Sequence, residues 1–98
     1  MTTATPPPGE PPTRDELNRR LSEEGLTPSW WSNGPRDTYG AHAHPYDKVL
    51  YCQSGSITFH TDGGDIELTP GDRLDLPAGT RHAATVGAKG VVCVEAAR

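Results

Sequence analysis

Three of the four histidines in the chain fall into one pattern: His42 and His44 stand two residues apart, and His82 follows later. In an extended strand successive side chains alternate faces, so His42 and His44 point the same way and can offer two imidazole nitrogens to one ion. With His82 they make a candidate three-histidine site for a divalent metal such as Fe, Zn, Mn or Ni, because imidazole by itself does not select among these ions. Lys48, Tyr46, Leu50 and Cys52 share the parity of the histidines. Lys48 and Tyr46 are therefore expected in the pocket beside the site. His60 lies outside the pattern, on a presumed surface strand, and is expected to be solvated.

The elements that must hold these residues are short and well punctuated. At 98 residues the chain makes one small domain, and 11 Gly with 10 Pro imply many tight turns. Residues 1–12 are Pro-rich without large apolar side chains past the first residue, and are expected to be a disordered tail. Residues 13–25 carry a capping box, Thr13 with Glu16, and a Leu17/Leu21 stripe, which predicts a short helix braced on the body. From residue 26 the pattern becomes β. Trp30 and Trp31 must face opposite sides, and apolar runs recur every eight to ten residues between turn signals. Breaks are predicted at Ser54-Gly55, Asp62-Gly63-Gly64, Pro70-Gly71, Pro77-Ala78-Gly79 and residues 87–90. This rhythm belongs to a sandwich or barrel.

The net charge of −4, with seven Arg and two Lys scattered along the chain, gives no basic stripe for nucleic acid or an anionic membrane. No apolar run approaches a membrane span and no signal peptide is evident, so a cytoplasmic protein is expected. Cys52 and Cys93 form no CxxC and are expected to be reduced and buried.

Two segments, HAHPYDKVLYCQSG from His42 to Gly55 and GDRLDLPAGTRH from Gly71 to His82, resemble the two signature motifs of the cupin superfamily. Gly71, Pro77, Gly79 and His82 match the second motif in full, and His42, His44 and Gly55 match the first. Arg36 stands in place of the leading Gly of the first motif, Lys48 in place of its Glu ligand, and Val86 in place of the Asn closing the second. The resemblance covers about residues 30–96. It implies an all-β antiparallel jelly-roll (double-stranded β-helix) barrel over residues 26–98, with a metal held by His42, His44 and His82, and a homodimer.

Lys48 is the departure with chemical weight. An ammonium about 5 Å from a divalent ion would meet repulsion of roughly 7 kcal/mol at an effective dielectric of ~20. Three arrangements avoid it. Lys48 pairs with a carboxylate such as Asp75 or Glu95, it is deprotonated beside the metal, or the site holds no metal and the cation binds an anion. Asp47 points to the other face by parity. Three functions follow: a three-histidine metal site with unassigned activity toward a small molecule, a non-catalytic module binding an anionic metabolite, or a three-histidine iron dioxygenase acting on a thiol or diketone. The catalytic residues are not specified by the sequence.

Overall fold

The computed structural model describes residues 10–98, so most of the Pro-rich segment expected to be disordered lies outside the described residues. Its last residue, Pro12, is buried and accepts a hydrogen bond from Gln53 Nε2 at 2.9 Å. Next comes α1 (Arg14–Glu23). Its N-terminus is capped as the sequence predicts, with Glu16 N donating to Thr13 Oγ1 at 3.1 Å. Leu17 and Leu21, four residues apart, are fully buried.

Six strands follow: β1 (Ser29–Asn33), β2 (Thr38–His42), β3 (Lys48–Thr61), β4 (Gly64–Leu68), β5 (Arg73–Leu76) and β6 (His82–Ala97). All pairings are antiparallel, and β3 and β6 run together through the middle. Each of these long strands changes neighbours half-way. The first half of β3 pairs with β5 and its second half with β4. The second half of β6 pairs with β1 and its first half with β2. Two four-stranded sheets result, β1-β6-β3-β5 and β2-β6-β3-β4, which is the jelly-roll arrangement. Among the described residues no ladder joins β1 to β5 or β2 to β4, so the sheets do not close into a continuous barrel.

The sequence pattern divides β3 and β6 too finely. Ser54-Gly55 and residues 87–90 were expected to end strands, yet both are corners inside continuous strands, marked by shifts in register between Cys52 and Ile57. Gly55 (φ 73°) and Gly90 (φ 78°) occupy the left-handed region, and a Cβ on Gly55 would come within 2.0 Å of the Gly90 carbonyl oxygen. A bulge at a corner lets one strand serve two sheets, and its glycine signature is the same as that of a turn.

Between the sheets lies an apolar core including Leu50, Ile57, Phe59, Leu74, Val86 and Val91, with Trp31 and Tyr39 packed against it. The outer face of the β1-β6-β3-β5 sheet presents Val49, Tyr51, Val94 and Ala96, and α1 covers it with Leu17 and Leu21. The adjacent tryptophans divide between these layers, Trp31 inward and Trp30 toward the helix. Trp30 Nε1 donates to Asn18 Oδ1 at 2.8 Å, and the Arg14 guanidinium lies 4.7 Å from the Trp30 ring. Cys52 and Cys93 are free, buried and directly opposite each other in the ladder. The hydrogen bond Cys93 shares with Cys52, and then burial, push its thiol up from the ordinary range. Among the described residues no helix is long and apolar enough to cross a membrane.

Candidate metal centre

His42 closes β2 and His82 opens β6, and the two are partners in the ladder. His44 lies beyond the end of β2, so its position does not come from strand alternation. It is set by backbone contacts with the turn that precedes β6. Thr80 N donates to Pro77 O at 3.2 Å, with Gly79 in the left-handed region (φ 79°) that a side chain would disfavour. Gly79 N then donates to His44 O at 2.8 Å, and Ala78 N to Asp47 Oδ1 at 2.7 Å. Asp47 thus acts as a clamp between loop and turn.

The clamp brings the three imidazoles together. Ring centroids are 4.4 Å apart for His42 and His82, 4.8 Å for His42 and His44, and 5.3 Å for His44 and His82. One ring nitrogen from each lies within 4.8 Å of the others, a spacing that can hold a metal ion. His82 is buried and the other two are half-buried. His42 Nδ1 lies 2.7 Å from Gly40 O, and His82 Nδ1 lies 2.9 Å from Thr80 O. A carbonyl can only accept, so both Nδ1 atoms carry a proton, the tautomer that keeps the lone pair of a neutral imidazole on Nε2. Burial, followed by the neighbouring Lys48 ammonium and the other two imidazoles, holds His44 below the usual histidine range. It is neutral at pH 7, as a ligand must be.

Lys48, in the place of the missing carboxylate, takes the first of the three arrangements. Its Nζ lies 3.2 Å from Glu95 Oε2, with the lysine side chain 12% and the glutamate 23% exposed. Asp75, the other partner considered, is held by Arg73 at 3.0 Å. Glu95 is fixed on its other oxygen by Trp31 Nε1 at 2.7 Å. Lys48 Nζ also donates to His44 Nε2, 3.3 Å away. The sequence points to Glu95 as a possible partner of Lys48, but not to the place of Trp31 beside it in the site. Glu95 stands on β6 opposite Leu50 of β3, a cross-strand neighbourhood that no motif spacing records.

These observations predict that Lys48→Met tightens zinc binding about five- to thirty-fold, because ammonium repulsion only partly offset by Glu95 leaves about 1–2 kcal/mol against the ion. The same variant leaves Glu95 half-buried with Trp31 as its one remaining partner, so metal-free stability should fall by about 1–3 kcal/mol. Zinc titration calorimetry and urea unfolding measure the two effects. Unchanged zinc affinity would mean that Lys48 does not face the ion.

Beside the histidines a cavity of about 200 Å³ is lined by Lys48 and Glu95 and by Trp31, Tyr39 and Phe59. Tyr46, expected in the pocket, is not in its lining. It lies in the bend between β2 and β3, where alternation does not apply, and is 37% exposed with its ring 5.2 Å from that of His44. His60, expected to be solvated, bridges strands on the outer face: Nδ1 is 2.8 Å from Asp65 Oδ1 and Nε2 is 2.9 Å from Thr85 Oγ1.

A small jelly roll whose inner end gathers three histidines is the architecture of a cupin. The sequence model described as "Cupin domain" matches residues 30–94, and the chain belongs to that family. A curated relative, quercetin 2,3-dioxygenase of Bacillus subtilis (strain 168), is 38% identical over 76 residues, covering 71% of this chain and 23% of that protein. The chain thus spans less than a quarter of that relative's length. Among solved structures, a cupin-2 domain containing protein from Shewanella frigidimarina NCIMB 400 superposes with a TM-score of 0.63 at 16% identity, covering 74% of this chain and 71% of that one. The DMSP lyase DddQ from Ruegeria pomeroyi DSS-3 gives 0.68 at 23% identity, covering 74% and 38%. These two likenesses are of fold.

Proposed function

We propose that His42, His44 and His82 hold one divalent metal ion and that the cavity beside them binds a small molecule for metal-assisted chemistry. The observation that carries this is the pair of backbone carbonyls, of Gly40 and Thr80, that fix the protons of His42 and His82 on Nδ1 and leave Nε2 free. Outer partners of this kind orient imidazole ligands in metal sites. A bound ion would supply Lewis acidity toward a ligand oxygen. This chain's own residues do the rest: the imidazoles give the ion three neutral donors, Glu95 holds Lys48 in the cavity wall, and Trp31, Tyr39 and Phe59 keep water from one side of the ligand.

The test is metal analysis after reconstitution with Fe, Zn, Mn and Ni in turn. At least one of these ions is expected at a stoichiometric level, and substoichiometric binding of all four ends the metal reading. A second reading, non-catalytic binding of an anionic metabolite, is favoured by the Lys48 ammonium seated on His44. Oxygen uptake by the iron-loaded protein with thiols and diketones separates an oxygenase, the activity class named for the curated relative, from a binding module.

The two sheets leave β1, β2, β4 and β5 each with one partner strand among the described residues, and such edges favour pairing of copies. A homodimer is expected, at twice the 10.5 kDa chain mass in sedimentation equilibrium, and a monomer mass would reject it. Cytoplasmic residence fits the two reduced, buried thiols.

A further inference from the structure

We infer that the cavity takes a compact planar carboxylate of one aromatic ring, its anionic group on Lys48 and its ring among Trp31, Tyr39 and Phe59. The inference rests on the proposed metal site and names the ligand class for it.

The cavity lining is of two chemical kinds. Lys48, Glu95, His42 and His82 supply all of its charged and imidazole groups. Trp31, Tyr39 and Phe59, with Leu50, Ile57 and Ala84, make the rest of the wall apolar. The Tyr39 hydroxyl donates to Asn33 Oδ1, and the Trp31 indole N–H is taken by Glu95, so these residues present ring surface to a ligand. Trp31 and Tyr39 stand edge to face, centroids 5.9 Å apart at 75°, so the wall offers aromatic surface on which a flat group can pack.

The charges select an anion. Lys48 and Glu95 sum to zero and the imidazoles are neutral donors, so a divalent ion leaves the polar groups with a net charge of about +2. An ammonium has three N–H donors. Glu95 and His44 use two of those on Lys48 and leave the third. Both Glu95 oxygens are occupied, by Lys48 and by Trp31, which screens an incoming carboxylate from it. At about 200 Å³ the space falls below the ~300–1,000 Å³ that encloses drug-sized ligands. One ring fills it, and the further rings of a three-ring molecule such as quercetin would have to project outside.

The two tryptophans make the test direct, because Trp31 lines the cavity while Trp30 sits under the helix with its indole on Asn18. Zinc-reconstituted, ¹⁵N-labelled protein is titrated with benzoate, benzyl alcohol, acetate and quercetin, following the two indole N–H signals, assigned with Trp30→Phe. Benzoate should move the Trp31 signal saturably and leave that of Trp30 in place. Acetate and benzyl alcohol should each bind at least about tenfold more weakly, and quercetin no more tightly than benzoate. Lys48→Met and Lys48→Gln should both loosen benzoate about tenfold or more without changing benzyl alcohol, their dispersed amide spectra reporting that the fold is kept. Absent benzoate binding, equal binding of benzoate and benzyl alcohol, equal binding of benzoate and acetate, or tighter quercetin binding overturns the inference. Zinc content measured on the same samples separates the two ideas. Zinc held without benzoate binding refutes the ligand class alone. If no zinc is held, the metal site fails, and the titration of metal-free protein decides the ligand class independently.

Discussion

Zinc reconstitution of His82→Ala is expected to fail at concentrations that saturate the wild type. Four-ligand zinc sites in small proteins bind with apparent energies of about 10–16 kcal/mol, which is about 2.5–4 kcal/mol per ligand, so losing one of three imidazoles loosens binding at least about fiftyfold. His82 is the strongest choice of the three. It is 3% exposed, its ring is 4.4 Å from His42 and 5.3 Å from His44, and its Nδ1 proton is anchored on the Thr80 carbonyl. Its Cα is paired with that of His42 across the β2–β6 ladder, so no shift of a neighbouring loop can bring a substitute into its place. The fold should survive, because the Ala83–Val86 part of β6 keeps its pairing with β3. His60→Ala is the matched control, since His60 bridges Asp65 and Thr85 on the outer face, and it should bind zinc as the wild type does. Calorimetry with each variant gives the result, and a folded His82→Ala protein binding zinc within about threefold of the wild type would remove the three-histidine site.

What the sequence made legible follows from what is local. The helix N-cap at Thr13, the opposed tryptophans and the second motif from Gly71 to His82 are encoded within a few residues of each other, and the structure has them as expected, although the Glu16 carboxylate expected to complete a capping box pairs with Arg20 instead. The convergence of the histidines was legible through spacing, although the physical cause differs for His44, which is placed by the Gly79 and Asp47 clamp and not by alternation. Alternation carried across the bend at Pro45 also explains why Tyr46 was expected in the pocket. Arg36, which stands in place of the motif's leading glycine, takes a left-handed backbone (φ 62°) of the kind glycine favours. Charge alone suggested a carboxylate such as Asp75 or Glu95 for Lys48, but choosing Glu95 over Asp75 required the β3–β6 and β3–β5 registers. Those registers depend on the corners at Gly55 and Gly90, and a glycine does not announce whether it ends a strand or bends it.

That dependence makes Gly55→Ala the substitution with the largest expected effect on folding. Two penalties coincide there. The left-handed backbone (φ 73°) disfavours any side chain, and the new Cβ would lie 2.0 Å from Gly90 O and 2.8 Å from Gly90 C, both backbone atoms that cannot rotate away. Relief requires β3 and β6 to separate at the corner, where Gly55 pairs with Val91 and Ser54 with Val92. A loss of about 3 kcal/mol or more is expected, the upper end for single substitutions and a large share of the ~5–15 kcal/mol that holds a domain together. Gly40→Ala supplies the comparison: nothing lies within 4 Å of its Cβ and its φ is not positive, so stability should change by no more than about 0.5 kcal/mol. The corner also sets the cavity, because Lys48 and Leu50 precede it on β3 while Ile57 and Phe59 follow it. Opening it moves the two ends of the site apart, so zinc, which stabilises only a folded site, should raise the melting temperature of Gly55→Ala by less than that of the wild type. Urea unfolding within about 0.5 kcal/mol of the wild type, with an undiminished zinc shift, would show that the corner tolerates a side chain and that the two sheets are held in register by other contacts.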